Sequence, residues 1–193
     1  MRRVMVSAVL VAGVWACGRG GPEAALPQPR PEDTFSVAEP REDLPAERRA
    51  EPAPGNPAGE ALDFTLPRLG GGEVRGASLA GQDVILWFWT PSCEPCNAEA
   101  PEVARIARQH SGEVTFVGIP SKDQVPAMEA FVSRHGLADM PQAVDVEGVV
   151  WRHFGLPDQP AWAFIDGQTG EVELVLGEMT ADALTKAVEQ LAG

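Results

Sequence analysis

Six consecutive apolar residues, Val84-Ile85-Leu86-Trp87-Phe88-Trp89, lead within four positions into Cys93-Glu94-Pro95-Cys96. No stretch narrows the choice of fold more. Successive residues of a strand point to opposite faces, so a strand of this composition must be covered on both sides, as in a sheet flanked by helices. The cysteine pair reads as a helix start. Pro95 fits the first turn, where its missing N–H costs nothing, and Ala100, Val103, Ala104, Ile106 and Ala107 fall largely on one helical face. A thiolate at such a start is favoured by unpaired backbone N–H groups and the positive end of the helix dipole. Two thiols at this spacing can close a disulfide or hold a metal, and the spacing leaves both open.

The surrounding segments extend an α/β pattern. Residues 62–66 alternate like a strand, Gly70-Gly71-Gly72 marks a turn, and Glu73-Val74-Arg75 reads as a second short strand. Residues 114–119 form another buried strand. Met128, Phe131 and Val132 mark a helix ending near His135-Gly136, where glycine suits the C-cap. Residues 161–166 and 172–176 flank Gly167-Gln168-Thr169-Gly170 as a hairpin, and Thr180 is placed to cap a last helix carrying Leu184, Val188 and Leu191. Strands interleaved with helices and closed by a hairpin and a helix imply a sheet of mixed direction.

The first third of the chain is different. Met1-Arg2-Arg3 precedes an apolar run over 4–16 that is too short to span a bilayer, as in a secretory signal. Val14-Trp15-Ala16-Cys17-Gly18 resembles a bacterial lipobox, which implies cleavage before Cys17 and a lipid on that residue. Lipidation would also remove the odd thiol that three cysteines leave in an oxidising compartment. Nine prolines lie between Pro22 and Pro57 with no sustained apolar periodicity. The expected organisation is therefore a signal peptide over 1–16, a lipid-anchored disordered tether over 17–58, and a folded domain over 59–193. A coil of some forty residues spans on the order of 35 Å. From residue 59 onward there are 20 Asp and Glu against 8 Lys and Arg. That balance argues against nucleic acid, or an anionic lipid surface, as a partner held by charge.

From about Ala61 onward the chain resembles the thioredoxin-like TlpA/ResA/DsbE group of extracytoplasmic thiol–disulfide oxidoreductases. The resemblance rests on Asp63-Phe64-Thr65-Leu66-Pro67, on Phe88-Trp89-Thr90-Pro91-Ser92-Cys93-Glu94-Pro95-Cys96, and on Gln159-Pro160-Ala161-Trp162, in that order. It implies a thioredoxin-like fold with Cys93 as the attacking thiolate and Cys96 as the resolving thiol. Glu99 matches a glutamate near the active site of ResA-like members, where it would take and return protons; read alone, it is equally an ordinary exposed helix residue. Pro160 matches a loop proline in a cis peptide facing the disulfide, which would leave the backbone of Gln159 to pair with an extended partner and its side chain to brush Cys93. Pro101 matches a proline that bends the helix by depriving the Asn97 carbonyl of its donor. Trp87 stands where thioredoxins proper carry a buried Asp, and Ser92 replaces a common Trp. Trp89 or Trp162 is a candidate to supply some of the aromatic contact, although each is more often simply core, and Pro95 is expected to join the substrate surface.

The implied reaction needs no cofactor beyond the Cys93–Cys96 disulfide and no metal; His110, His135 and His153 are scattered and read as surface or capping residues. Its partners would be protein thiols and disulfides, among them apocytochrome c or secreted proteins, with a membrane redox partner, and the direction of electron flow stays open. Two rival functions use the same cysteines. A thiol peroxidase draws on Thr90-x-x-Cys93, but a peroxiredoxin pattern wants a proline where Leu86 stands. A copper chaperone would want a later histidine in the Gln159-Pro160 loop, which has none.

Overall fold

The computed structural model describes residues 57–193. The signal segment, Cys17 and the tether as far as residue 56 lie outside the described residues. The last two residues expected to be tether belong instead to the first helix, α1 (Pro57–Ala61). Ala58 and Ala61 are buried, and the Ala58 N–H donates to the Gly170 carbonyl at 3.1 Å, so the folded domain begins at least two residues before the change in composition.

The expected strand at 62–66 is shifted for a local reason. Leu62 donates to the Ala58 carbonyl, which prolongs the helical turn, and only Thr65–Pro67 (β1) pairs antiparallel with Glu73–Arg75 (β2). The central strand is Val84–Trp89 (β3), buried at every position. It pairs parallel with Thr115–Pro120 (β4) and antiparallel with Ala161–Ile165 (β5), and β5 continues through the expected hairpin to Val172–Leu176 (β6). The four strands run in the order β4-β3-β5-β6, a mixed sheet in a thioredoxin-like arrangement.

Each face of this sheet has its own core. Ile85, Trp87 and Trp89 pack with helices α2 (Glu94–Gln109), α3 (Val125–His135) and α5 (Ala181–Leu191). Val84, Leu86 and Phe88 pack with α1 and with α4 (Val149–His153). The caps follow the sequence: Gly136 closes α3 at φ 69°, and the Thr180 hydroxyl accepts the Ala183 N–H at 3.2 Å. Helix α4 is not foreshadowed by any apolar period. It is organised by buried Asp145, whose carboxylate accepts the N–H groups of Val149, Val150 and Trp151 at 2.7, 2.9 and 3.0 Å.

Candidate active site

Strand β3 ends at Trp89, and four residues later α2 begins. Cys93 is the N-cap of α2: its backbone is extended, and its Sγ accepts the Cys96 N–H at 3.1 Å. Cys93 and Cys96 are joined as a disulfide. Cys93 retains 7% of its surface and Cys96 none, so only one sulfur is approachable from outside. Pro95 is exposed in the first turn, as expected. Pro101 lies inside α2 and gives the Asn97 carbonyl no N–H.

Asn97 holds the loop in front of the disulfide and carried no expected role. Its side-chain amide donates to the carbonyls of Pro91 at 3.0 Å and Cys93 at 2.8 Å. Its oxygen sits 3.1 Å from Nε2 of His135, whose pKa is lowered by burial and by neighbouring Arg134. The available signal was an Asn four residues after the N-cap, since Asn competes for nearby backbone groups.

Glu99 is not an exposed helix residue. It retains 8% of its surface. Oε1 accepts the indole N–H of Trp87 at 2.8 Å, and Oε2 accepts the Met179 N–H at 3.1 Å. Burial pushes its pKa up to about 7; the bonds from Met179 and Trp87 oppose the rise, and the charge of Glu178 adds to it. The residue occupying the place of the thioredoxin aspartate is thus the one that hydrogen-bonds the acid.

The Gln159-Pro160 peptide is cis. Pro160 is buried, and its carbonyl accepts the Gly177 N–H at 2.9 Å, tying the loop to the end of β6. Phe88 pairs with Ala161, so Pro160 comes beside the end of β3, from which the Cys93 loop departs. One expectation is corrected here. The backbone N–H of Gln159 is not free for a partner, because the Asp158 carboxylate accepts it at 2.9 Å. The Gln159 side chain accepts from Lys122 Nζ at 3.0 Å.

The aromatic contact assigned to Trp89 is also corrected. Trp89 is fully buried, stacks on Phe131 with ring centres 4.1 Å apart, and donates to Gln142 Oε1 at 3.1 Å. A Cβ at Gly118 would collide with that Gln142 amide, so the glycine keeps the space for it. Trp162 is likewise buried, 5.7 Å from Trp87. Both rings are core, and neither can touch a partner. His110 caps α2 and meets Glu113 at 2.9 Å; His135 and His153 end α3 and α4. Among the described residues, no three His, Cys, Asp or Glu side chains cluster as a metal site.

Comparison with known proteins gives a consistent picture. Residues 57–175 match the model of the AhpC/TSA family. The soluble secreted antigen MPT53 of Mycobacterium tuberculosis is 41% identical over 136 residues, 69% of this chain and 78% of that protein. The thiol-disulfide oxidoreductase ResA of Geobacillus kaustophilus is 30% identical over 135 residues, 68% of this chain and 75% of ResA. Among solved structures, Mycobacterium tuberculosis DsbF, in mixed oxidized and reduced forms, is 44% identical. It superposes with a TM-score of 0.66 over 68% of this chain and 97% of DsbF.

Proposed function

The chain belongs to the AhpC/TSA family and is a thioredoxin-like thiol–disulfide oxidoreductase, and we propose that it exchanges its Cys93–Cys96 disulfide with the cysteines of proteins outside the cytoplasm. One observation carries the mechanism: the two disulfide-bonded cysteines are unequally buried, Cys93 keeping a small exposure and Cys96 none. A partner thiolate attacks Cys93 Sγ, the Cys93–Cys96 bond breaks, and Cys96 leaves as a thiolate. The second partner thiol, once deprotonated, attacks the mixed disulfide and expels the Cys93 thiolate. The partner gains a disulfide, and the enzyme holds two electrons and two protons as a dithiol. Every step runs equally in reverse, with Cys93 attacking a partner disulfide and Cys96 resolving it.

Glu99 supplies the proton bookkeeping. It lies one helical turn beyond Cys96 on the same face of α2, and with a pKa near 7 it can give a proton to the leaving thiolate and recover it at neutral pH. The Gln159-Pro160 loop and Pro95 form the rim that meets the partner. Secreted proteins and apocytochrome c are partners of the right chemistry, with a membrane redox protein restoring the starting state. Secretion of MPT53 supports the location, and the lipobox adds a lipid on Cys17 and a tether.

The deciding measurement is the equilibrium potential of the Cys93/Cys96 couple against glutathione. A value near about -270 mV marks a reductant and one near about -120 mV an oxidant. Exchange with a peptide disulfide must disappear in Cys93→Ser; persistence there, or peroxide consumption exceeding disulfide exchange, overturns the reading. Cells fed a fatty-acid analogue should label the wild type and not Cys17→Ala. An unlabelled wild type removes the anchor.

A further inference from the structure

Lys122 lies two residues beyond the end of β4 and has φ 56°, a left-handed conformation that a residue with a Cβ enters only at a cost. Its ammonium makes two contacts from that position. It lies 4.6 Å from the centre of the Trp151 ring in α4 and donates to Gln159 Oε1 at 3.0 Å. Since β3 lies between β4 and β5, this bridge spans the end of β3, where the Cys93 loop leaves the sheet.

The polarity of the bridge matters. A lysine ammonium only donates, so Gln159 must turn its oxygen toward Lys122 and its NH2 group away. The backbone N–H of Gln159 is engaged by Asp158. The donors this residue can still offer are therefore the two on its side-chain nitrogen. Building on the reading that the Gln159-Pro160 loop meets the partner, we propose that Lys122 is a positioning residue that fixes the Gln159 carboxamide with its NH2 group outward. The loop then selects partners that present a carbonyl or carboxylate oxygen beside the reacting cysteine. Lys122 acts through Gln159 and touches no reacting sulfur.

The test uses the full chain and two disulfide-bonded peptides, one with Asp and one with Leu beside the cysteine, with glutathione as recycling reductant. In Lys122→Met, KM for the Asp peptide should rise about five-fold, the scale of one hydrogen bond, with kcat changing by less than about two-fold. Lys122→Glu, which must accept from the amide nitrogen and so reverses the amide, should raise KM further, and Lys122→Arg should restore it. The wild type should prefer the Asp peptide, and Lys122→Met should not. In a Gln159→Ala background, Lys122→Met should change nothing more. An unchanged KM in Lys122→Met, or an equal rise with Gln159 already removed, overturns the proposal while leaving the oxidoreductase reading intact. A wild type that exchanges with neither peptide overturns that reading and the proposal together.

Discussion

Ile85, Trp87 and Trp89 project from one face of β3, and Val84, Leu86 and Phe88 from the other; all six are fully buried, but they are buried against different chemistry. On the α2 face, the indole N–H groups of β3 need acceptors once water is excluded, whereas that of neighbouring Trp162 has none. Trp87 finds the Glu99 carboxylate and Trp89 the Gln142 amide. On the α4 face, Phe88 meets Trp151 and Phe154 edge-on at 5.8 and 5.3 Å. The one indole there, Trp151, donates to a backbone carbonyl, that of Ile119, at 2.9 Å. A backbone carbonyl cannot titrate, whereas a carboxylate can. Alternate residues of one strand thus face two kinds of interior, one whose indole ends on a backbone carbonyl and one tied through Trp87 to the disulfide helix.

The largest effect that can break this division comes from the α4 face. Phe88→Ala removes a fully buried ring and should cost about 3–5 kcal/mol of stability in denaturant melts. The potential of Cys93/Cys96 in the folded variant should stay at the wild-type value. A shifted potential would mean that the two faces are not separable.

Next in size is the acid on the α2 face. The pKa of Glu99 rises from 4.5 to about 7 on folding, so between those values the unfolded chain binds fewer protons and stability falls as pH rises. Glu99→Gln does not titrate. The stability of the wild type relative to this variant should therefore drop by on the order of 1–3 kcal/mol from pH 4 to pH 8. The pH profile of exchange should lose its inflection near 7 in the same variant. A pH-independent difference would remove Glu99 from the proton chemistry.

The strand, the cysteine helix and the loop proline were legible because each has a strong local cause: an unbroken apolar run, a proline in a first turn, a family motif at the start of a strand. Helix α4 was not, since its five residues carry no period and depend on one buried aspartate binding three N–H groups at once. The misassignment of Trp89 has a related origin. Its position next to the cysteine loop is a fact of sequence, but which way its ring points is fixed by strand parity and by Gln142 arriving from 53 residues away. Glu99 stood undecided between surface and interior because Met179, which closes over it, comes 80 residues later. Lys122 gave no signal at all; its partners Trp151 and Gln159 meet it only once β4, α4 and β5 are assembled.

The smallest effect is the most specific to the α2 face. Trp87→Phe keeps an aromatic ring against Trp162 and Phe131 but deletes the N–H that Glu99 Oε1 accepts. That bond favours the ionised carboxylate, so its loss should move the pKa of Glu99 above 7, by roughly half a unit to one unit for a bond worth on the order of 1 kcal/mol. The inflection in the exchange profile should move upward by the same amount, and the fall in stability with pH should extend to higher pH. Phe88→Leu, on the opposite face, should leave that inflection in place. If the inflection also stays in place in Trp87→Phe, burial alone sets the acid, and Trp87 is core like its neighbour Phe88. If it moves, the strand residue that stands in place of the thioredoxin aspartate has a share in setting the titration of Glu99.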